Sequence, residues 1–289
     1  MKDSNSCIVQ CYGITKDPET NNFMMVMEYA QHGSLRQHLN ISFNSISWKD
    51  KIFSLYAIAA GLKTIHKKGL IHHDFHCGNI LNSSGGHTFI TDLGLCQPVN
   101  ANSSLNDEKN IYGVLPYVAP EVLRGKEYTQ ASDIYGFGVI AHELCTGLLP
   151  YHDMAHEEHL AIRICQGLRP KSNYKLPQLI LDIIQQCWDA DPLKRPTAKK
   201  LKNEFDKWHF SQFSDNEIYK QANEADEFNK TQPSFTNSLS NTKLVYTTHP
   251  QAVYTSRLLE FENLPETKNA DNYDNSLGNC SSFINKIIL

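Results

Sequence analysis

The residues best suited to chemistry are Asp74, Asn79 and Asp92. They sit in His72-His73-Asp74-Phe75-His76-Cys77-Gly78-Asn79 and, further on, in Asp92-Leu93-Gly94. Carboxylate and amide oxygens are the hard donors that Mg²⁺ takes, and Mg²⁺ keeps room in its shell for waters and phosphate oxygens. Between the two motifs, Asn79-Ile80-Leu81-Asn82 and Thr88-Phe89-Ile90-Thr91 flank a Gly85-Gly86 bend, which reads as a β-hairpin. Antiparallel pairing returns a chain to its starting edge, so Asn79 and Asp92 are expected side by side, with Asp74 close. Two of the three can then hold a metal, and Asp74 is left to orient a hydroxyl and accept its proton. His72, His73 and His76 are also metal-ligand types. No matching second ligand set occurs elsewhere, so a zinc site is the lesser reading.

Several elements must position this group. Ile8–Tyr12 and Phe23–Met27 read as strands joined by the polar loop 16–22. Trp48, Ile52, Leu55, Ile58, Leu62 and Ile65 recur at spacings of three and four. Ser47 is a candidate N-cap with Asp50 behind it, and Gly69 ends the run. Helical spacing returns near 133–147, 157–166, 177–188 and 197–208, with Ser132 and Thr197 as candidate caps and Gly147 as a stop. A few strands followed by many helices predict an α+β domain dominated by helix.

The ordered motifs resemble the catalytic domain of eukaryotic protein kinases, with His72-His73-Asp74 and Asn79 as the catalytic loop, then Asp92-Leu93-Gly94 and Ala119-Pro120-Glu121. The resemblance implies Asp74 as catalytic base and Asn79 and Asp92 as metal ligands. It also implies ATP and Mg²⁺ as cofactors. Met27, Glu28 and Ala30 would form an adenine-binding hinge, and Leu81 would floor the adenine pocket. His72, Leu93 and Gly94 would support the site, Asp133 would brace the catalytic loop, and Arg195 would pair with Glu121. The likeness covers residues 1–208. The wording His-x-Asp-x-His-x-Gly-Asn, with Tyr117-Val118-Ala119-Pro120-Glu121 and Cys187-Trp188, is most similar to the tyrosine-kinase-like branch, whose members mostly phosphorylate Ser and Thr.

The chain departs from the family pattern in four places. No residues match the family's Gly-rich loop, strand Lys and helix Glu; Gly136-Phe137-Gly138 falls within a helical pattern and is no substitute. His73 stands where the family has an Arg that pairs with a phosphate on the activation loop. Phosphorylation of Ser103, Ser104 or Tyr112 is therefore not expected to switch the enzyme by the usual route. His76 replaces the catalytic-loop Lys, and Val114 replaces a Thr. The fold implied is a truncated small β lobe on a large, mainly helical lobe.

Composition narrows the class. The 289 residues carry a net charge of −4, and a body of this balance does not read as a nucleic-acid binder. No apolar run is long enough for a spanning helix, so no membrane partner is expected. The eight cysteines are scattered, which suits reduced thiols in a cytoplasmic protein. Cys77 and Cys96, beside the catalytic loop, read as ordinary partly buried thiols. Residues 209–289 read as an Asn-rich, mostly disordered tail, with short patches near Glu217–Phe228 and Leu244–Phe261. Its use would be to bind signalling partners. The function implied is transfer of the ATP γ-phosphate to a Ser/Thr, or a Tyr, hydroxyl of a protein substrate, weak or absent in this chain alone. The alternative is a non-catalytic kinase-like scaffold or a module that binds signalling partners.

Overall fold

The computed structural model describes residues 7–83, 86–99, 111–210, 216–231 and 246–270. The chain enters through β1 (Cys11–Lys16), which pairs antiparallel with β2 (Phe23–Met27), Lys16 opposite Phe23. The strand expected at 8–12 is displaced toward the C-terminus. Ile8 bridges instead to Ile90, and the Val9 N–H donates to Ile90 O at 2.9 Å. Both faces of the hairpin are open. Ile14, Phe23 and Met25 are 70, 79 and 60 % exposed, so no buried side fixes the strand boundary.

Helix α1 (Leu35–Ser42), absent from the sequence reading, starts at a capping box between Ser34 and Gln37 and buries Leu35 and Leu39. Helix α2 (Trp48–Lys67) starts the same way. The Ser47 hydroxyl accepts from the Asp50 N–H, and the Asp50 carboxylate accepts from the Ser47 N–H. Ile52, Leu55, Ile58, Leu62 and Ile65 are all buried on its inner face. Strand β3 (Leu70–Ile71) follows. Next, β4 (Ile80–Asn82) pairs with β5 (Thr88–Ile90) in strict register, Ile80 opposite Ile90. Gly86 of the expected bend is described; Gly85 lies outside the described residues. Strand β6 (Gln97–Pro98) returns to pair with β3.

After β7 (Ile111–Gly113) the body is helical: α3 (Pro120–Leu123), α4 (Gln130–Thr146), α5 (Glu158–Cys165), α6 (Gln178–Cys187) and α7 (Ala198–Phe210). Ser132 is not the cap of α4. Thr129 caps it, and the hydroxyl of Ser132, in the third helical position, accepts from the Thr129 N–H to complete the box. Thr197 accepts from the Lys200 N–H at 3.2 Å ahead of α7. Gly147 takes the left-handed conformation that closes α4. The Gly136-Phe137-Gly138 pattern lies inside α4. There a Cβ on Gly138 would stand 2.7 Å from Trp188 Nε1, so the glycine serves close packing. Trp48 and Trp188 are core residues. Within the described residues, helices and short strands combine in one hydrophobic core.

The described parts of the region after residue 208 hold a helix and a strand where the sequence offers short patches, near Glu217–Phe228 and Leu244–Phe261. Helix α8 (Glu217–Lys230) sets Ile218, Ala222, Ala225 and Asn229 at helical spacing and buries all four against the body. Lys175 exchanges two backbone bonds with the Asn229 amide, at 2.7 and 3.0 Å. Strand β8 (Arg257–Leu259) pairs antiparallel with β7, Gly113 opposite Arg257. No described helix is long and apolar enough to cross a membrane.

Candidate active site

Asp133, in the first turn of α4, holds the loop that carries Asp74. Its carboxylate accepts from the backbone N–H groups of His72 (2.8 Å) and His73 (3.2 Å) and contacts His66 Nε2 (2.9 Å). His73 takes a left-handed backbone, an uncommon setting for a non-glycine residue, and stacks on Tyr128 at 4.5 Å. The buried His72 ring contacts Thr91 O at 3.0 Å, which ties the loop to the residue before Asp92.

Asp74 is 5 % exposed. Asn79 Nδ2 donates to the Asp74 carbonyl (2.9 Å) and to its Oδ2 (3.3 Å). The Thr91 N–H donates to Asn79 O at 3.0 Å, so the hairpin brings the backbone beside Asp92 to Asn79. Asp92 itself has a left-handed backbone, is exposed, and among the described residues accepts no hydrogen bond. Leu93 is 40 % exposed, and Gly94 follows in the same single turn of 3-10 helix.

Three oxygen-bearing groups are thus uncommitted: the Asp92 carboxylate, the Asn79 amide oxygen left once Nδ2 is spent, and Asp74 Oδ1, which is buried with no hydrogen-bond partner. This donor set suits a hard cation such as Mg²⁺. The histidines are dispersed. His76 Nδ1 accepts from the Gly78 N–H at 3.0 Å, and its Nε2 faces Asp74 Oδ2 at 3.4 Å. Among the described residues no group of three or more His, Cys, Asp or Glu side chains is placed to hold a metal ion.

Burial pushes the Asp74 carboxyl up, but the His76 imidazole and the Ser256 hydroxyl outweigh it. The net shift is below the usual carboxylate range, so Asp74 is ionised at neutral pH. Burial raises the Cys77 thiol, and Cys96 is pushed up to about 11, so both are protonated and unreactive. Burial also lowers His73 and keeps it neutral. Ser103 and Ser104 lie outside the described residues. Tyr112 is 43 % exposed, and its hydroxyl donates to Ser256 O at 3.2 Å.

At the other edge of the site, the Glu28 N–H is committed to Gln10 O at 2.8 Å. Met27 is 42 % exposed. The turn after Ala30 lies against β4: the His32 N–H donates to Asn82 O, the Asn82 N–H to Gly33 O, and Ser34 bridges to Leu81. Beneath the loop, Arg195 forms a bidentate pair with Glu121 at 2.7 and 2.8 Å, both side chains buried.

Residues 1–205 match the family described as protein tyrosine and serine/threonine kinase. The chain belongs to this kinase family. Its relatives include a protein kinase and PP2C-like domain-containing protein of Arabidopsis thaliana, 30 % identical over 211 residues, covering 62 % of this chain and 32 % of the relative. A probable serine/threonine-protein kinase, roco5, of Dictyostelium discoideum is 35 % identical, covering 66 % of this chain and 7 % of its own. Mitogen-activated protein kinase kinase kinase 1 of Arabidopsis thaliana is 34 % identical, covering 68 % and 31 %. The chain therefore spans no more than about a third of these relatives.

Sequence reasoning missed three residues of the candidate site. Ser256 Oγ donates to Asp74 Oδ2 at 2.5 Å. Arg36 donates to Tyr254 O at 2.7 Å and to the Tyr117 hydroxyl at 3.1 Å. His156 is held between Tyr151 O and the backbone of Val253. The contacts to residues 253–256 join segments far apart in sequence, and no local spacing marks them.

Proposed function

We propose that this chain carries the acceptor-side and metal-side machinery of an ATP-dependent protein kinase of the tyrosine-kinase-like branch, acting on Ser or Thr hydroxyls of protein substrates. The observation that carries the reading is Asp74: buried, ionised, held by Asn79 and already accepting a serine hydroxyl at 2.5 Å. In the reaction, Asp74 orients the acceptor hydroxyl toward the γ-phosphate and receives its proton. Asn79 fixes the Asp74 carboxylate, while Asp133 holds the loop so that Asp74 does not drift from its line of approach. Asn79 and Asp92 would hold Mg²⁺, which when bound offsets phosphate charge. Met27, Glu28, Ala30 and Leu81 line the edge that would take adenine.

Among the described residues β1 and β2 pair only with each other, and no residues of this sequence match a Gly-rich loop or strand Lys. Positioning of the α- and β-phosphates is then weak and turnover slow. The test is transfer from Mg²⁺–ATP to a free Ser-containing peptide by the purified chain beside its Asp74→Asn variant. Slow transfer that vanishes in Asp74→Asn is expected. No transfer, or equal transfer by both, would refute the proposal.

A further inference from the structure

Asp74 Oδ2 is not left open to solvent. The chain's own residues 253–259 lie across it, and Ser256 holds the place an acceptor hydroxyl must take. Its Oγ donates to Asp74 Oδ2 at 2.5 Å and lies 3.2 Å from His76 Nε2.

The segment is gripped on both sides of the serine. Upstream, Arg36 donates to Tyr254 O at 2.7 Å and sits over the Tyr254 ring. The Tyr254 hydroxyl donates to Pro150 O at 3.0 Å, and the Val253 N–H donates to His156 Nδ1 at 3.1 Å. Downstream, β8 adds to β7 as a second strand, Arg257 donates to His156 O, and Leu259 is 3 % exposed. Strand addition draws affinity from main-chain bonds and specificity from alternate side chains. The receiving edge is built for close approach. Gly113 has φ +156°, and a Cβ there would stand 3.1 Å from Val118 and 3.7 Å from Asp74 Oδ1.

A segment that only blocked the groove would need no hydroxyl at this point. Here the hydroxyl is present and bonded to the base. We infer that Ser256 is an intramolecular phosphoryl acceptor: the tail is a substrate tethered to its own enzyme. The inference rests on the kinase reading above. In the step, a bond forms between Ser256 Oγ and the γ-phosphorus of ATP. The bond from that phosphorus to the β–γ bridging oxygen breaks, and ADP departs with the electron pair. The hydroxyl proton passes to Asp74. The phosphoserine then carries up to two negative charges against the Asp74 carboxylate, and like charges at this distance drive the segment out of the groove. The tail is thus a blocker that its own modification removes.

The test uses the full 289-residue chain with two readouts. The first is peptide mapping by mass spectrometry after incubation with Mg²⁺–ATP, with a free Ser-containing peptide present. Phosphate at Ser256, formed at a rate constant independent of protein concentration and lost in Asp74→Asn, is expected. The second is amide hydrogen exchange without nucleotide. Slow exchange at 111–113 and 257–259 is expected, accelerating at both strands together in Leu259→Asp while α2 and α4 stay protected. In Leu259→Asp, Ser256 phosphate is lost and transfer to the free peptide rises. Transfer to the free peptide with Ser256 unmodified overturns the inference and leaves the kinase reading standing. Fast exchange at both strands in the unmodified chain overturns it as well. Absence of transfer to either acceptor overturns both readings.

Discussion

The role of base proposed for Asp74 depends on what surrounds it. Burial alone would raise its pKa, but the His76 and Ser256 bonds reverse that shift. Its contribution to stability is therefore present above the unfolded carboxylate value and lost as pH falls through the lower folded value. Replacing Asp74 by Asn removes the base while keeping the shape. Transfer is expected to fall about 10³-fold, with the melting temperature shifted little; steady-state kinetics and calorimetry check both.

His142 makes the opposite kind of statement. Burial beside Trp188 pushes it down to about 4, and its Nδ1 has no hydrogen-bond partner. The unfolded chain binds this proton first, so stability is lost as pH falls from about 6.5 toward 4. That single group is expected to cost roughly 2 kcal/mol between pH 7 and pH 5. His142→Leu should flatten the acid limb of a urea-denaturation series; an unchanged limb would rule the account out.

Elements are joined by a few buried contacts whose loss should be visible. Glu121 in α3 meets Arg195 just ahead of α7, and the Arg195 guanidinium also donates to Ala131 O and Asp189 O. Arg195→Ala leaves a buried carboxylate unpaired and is expected to cost about 3–5 kcal/mol. Helix α8 is fastened by Ile218 and by Asp226, which accepts from Trp48 Nε1 at 2.7 Å. Ile218→Ala is expected to cost about 2–4 kcal/mol if α8 unfolds with the body. An unchanged urea midpoint would mean that α8 melts separately.

Which elements could be read from the sequence follows from where their information lies. The inner face of α2 announces itself through apolar spacing, and its cap is local. Thr129 and Ser132 form a reciprocal box, so either hydroxyl reads as a cap and only the backbone decides between them. Strand β1 has no buried face, so its start has no apolar alternation to mark it. Helix α1 offers just two buried leucines in eight residues, too few to separate it from a loop.

At the scale of the molecule, the hairpin behind the Asp74 loop was legible because Asn79 and Asp92 flank one short stretch whose reversal is written in the sequence. The tail was not. Ser256 reaches Asp74 across 182 positions, and a lone serine among polar residues carries no sign of its partner. The tail's composition argued for disorder because it holds few apolar residues. Its described stretches pack nonetheless, because the body supplies the surface: Ile218 and Leu259 fill places in a core that is mostly not their own.

The central claim is that residues 74, 79 and 92 make one metal-centred acceptor site. Electron paramagnetic resonance of Mn²⁺ titrated into the full chain with ADP present tests it most directly. The account predicts a bound-metal signal whose affinity falls about tenfold or more in both Asp92→Asn and Asn79→Ala. Equal Mn²⁺ affinity in the wild-type chain and both variants would contradict it.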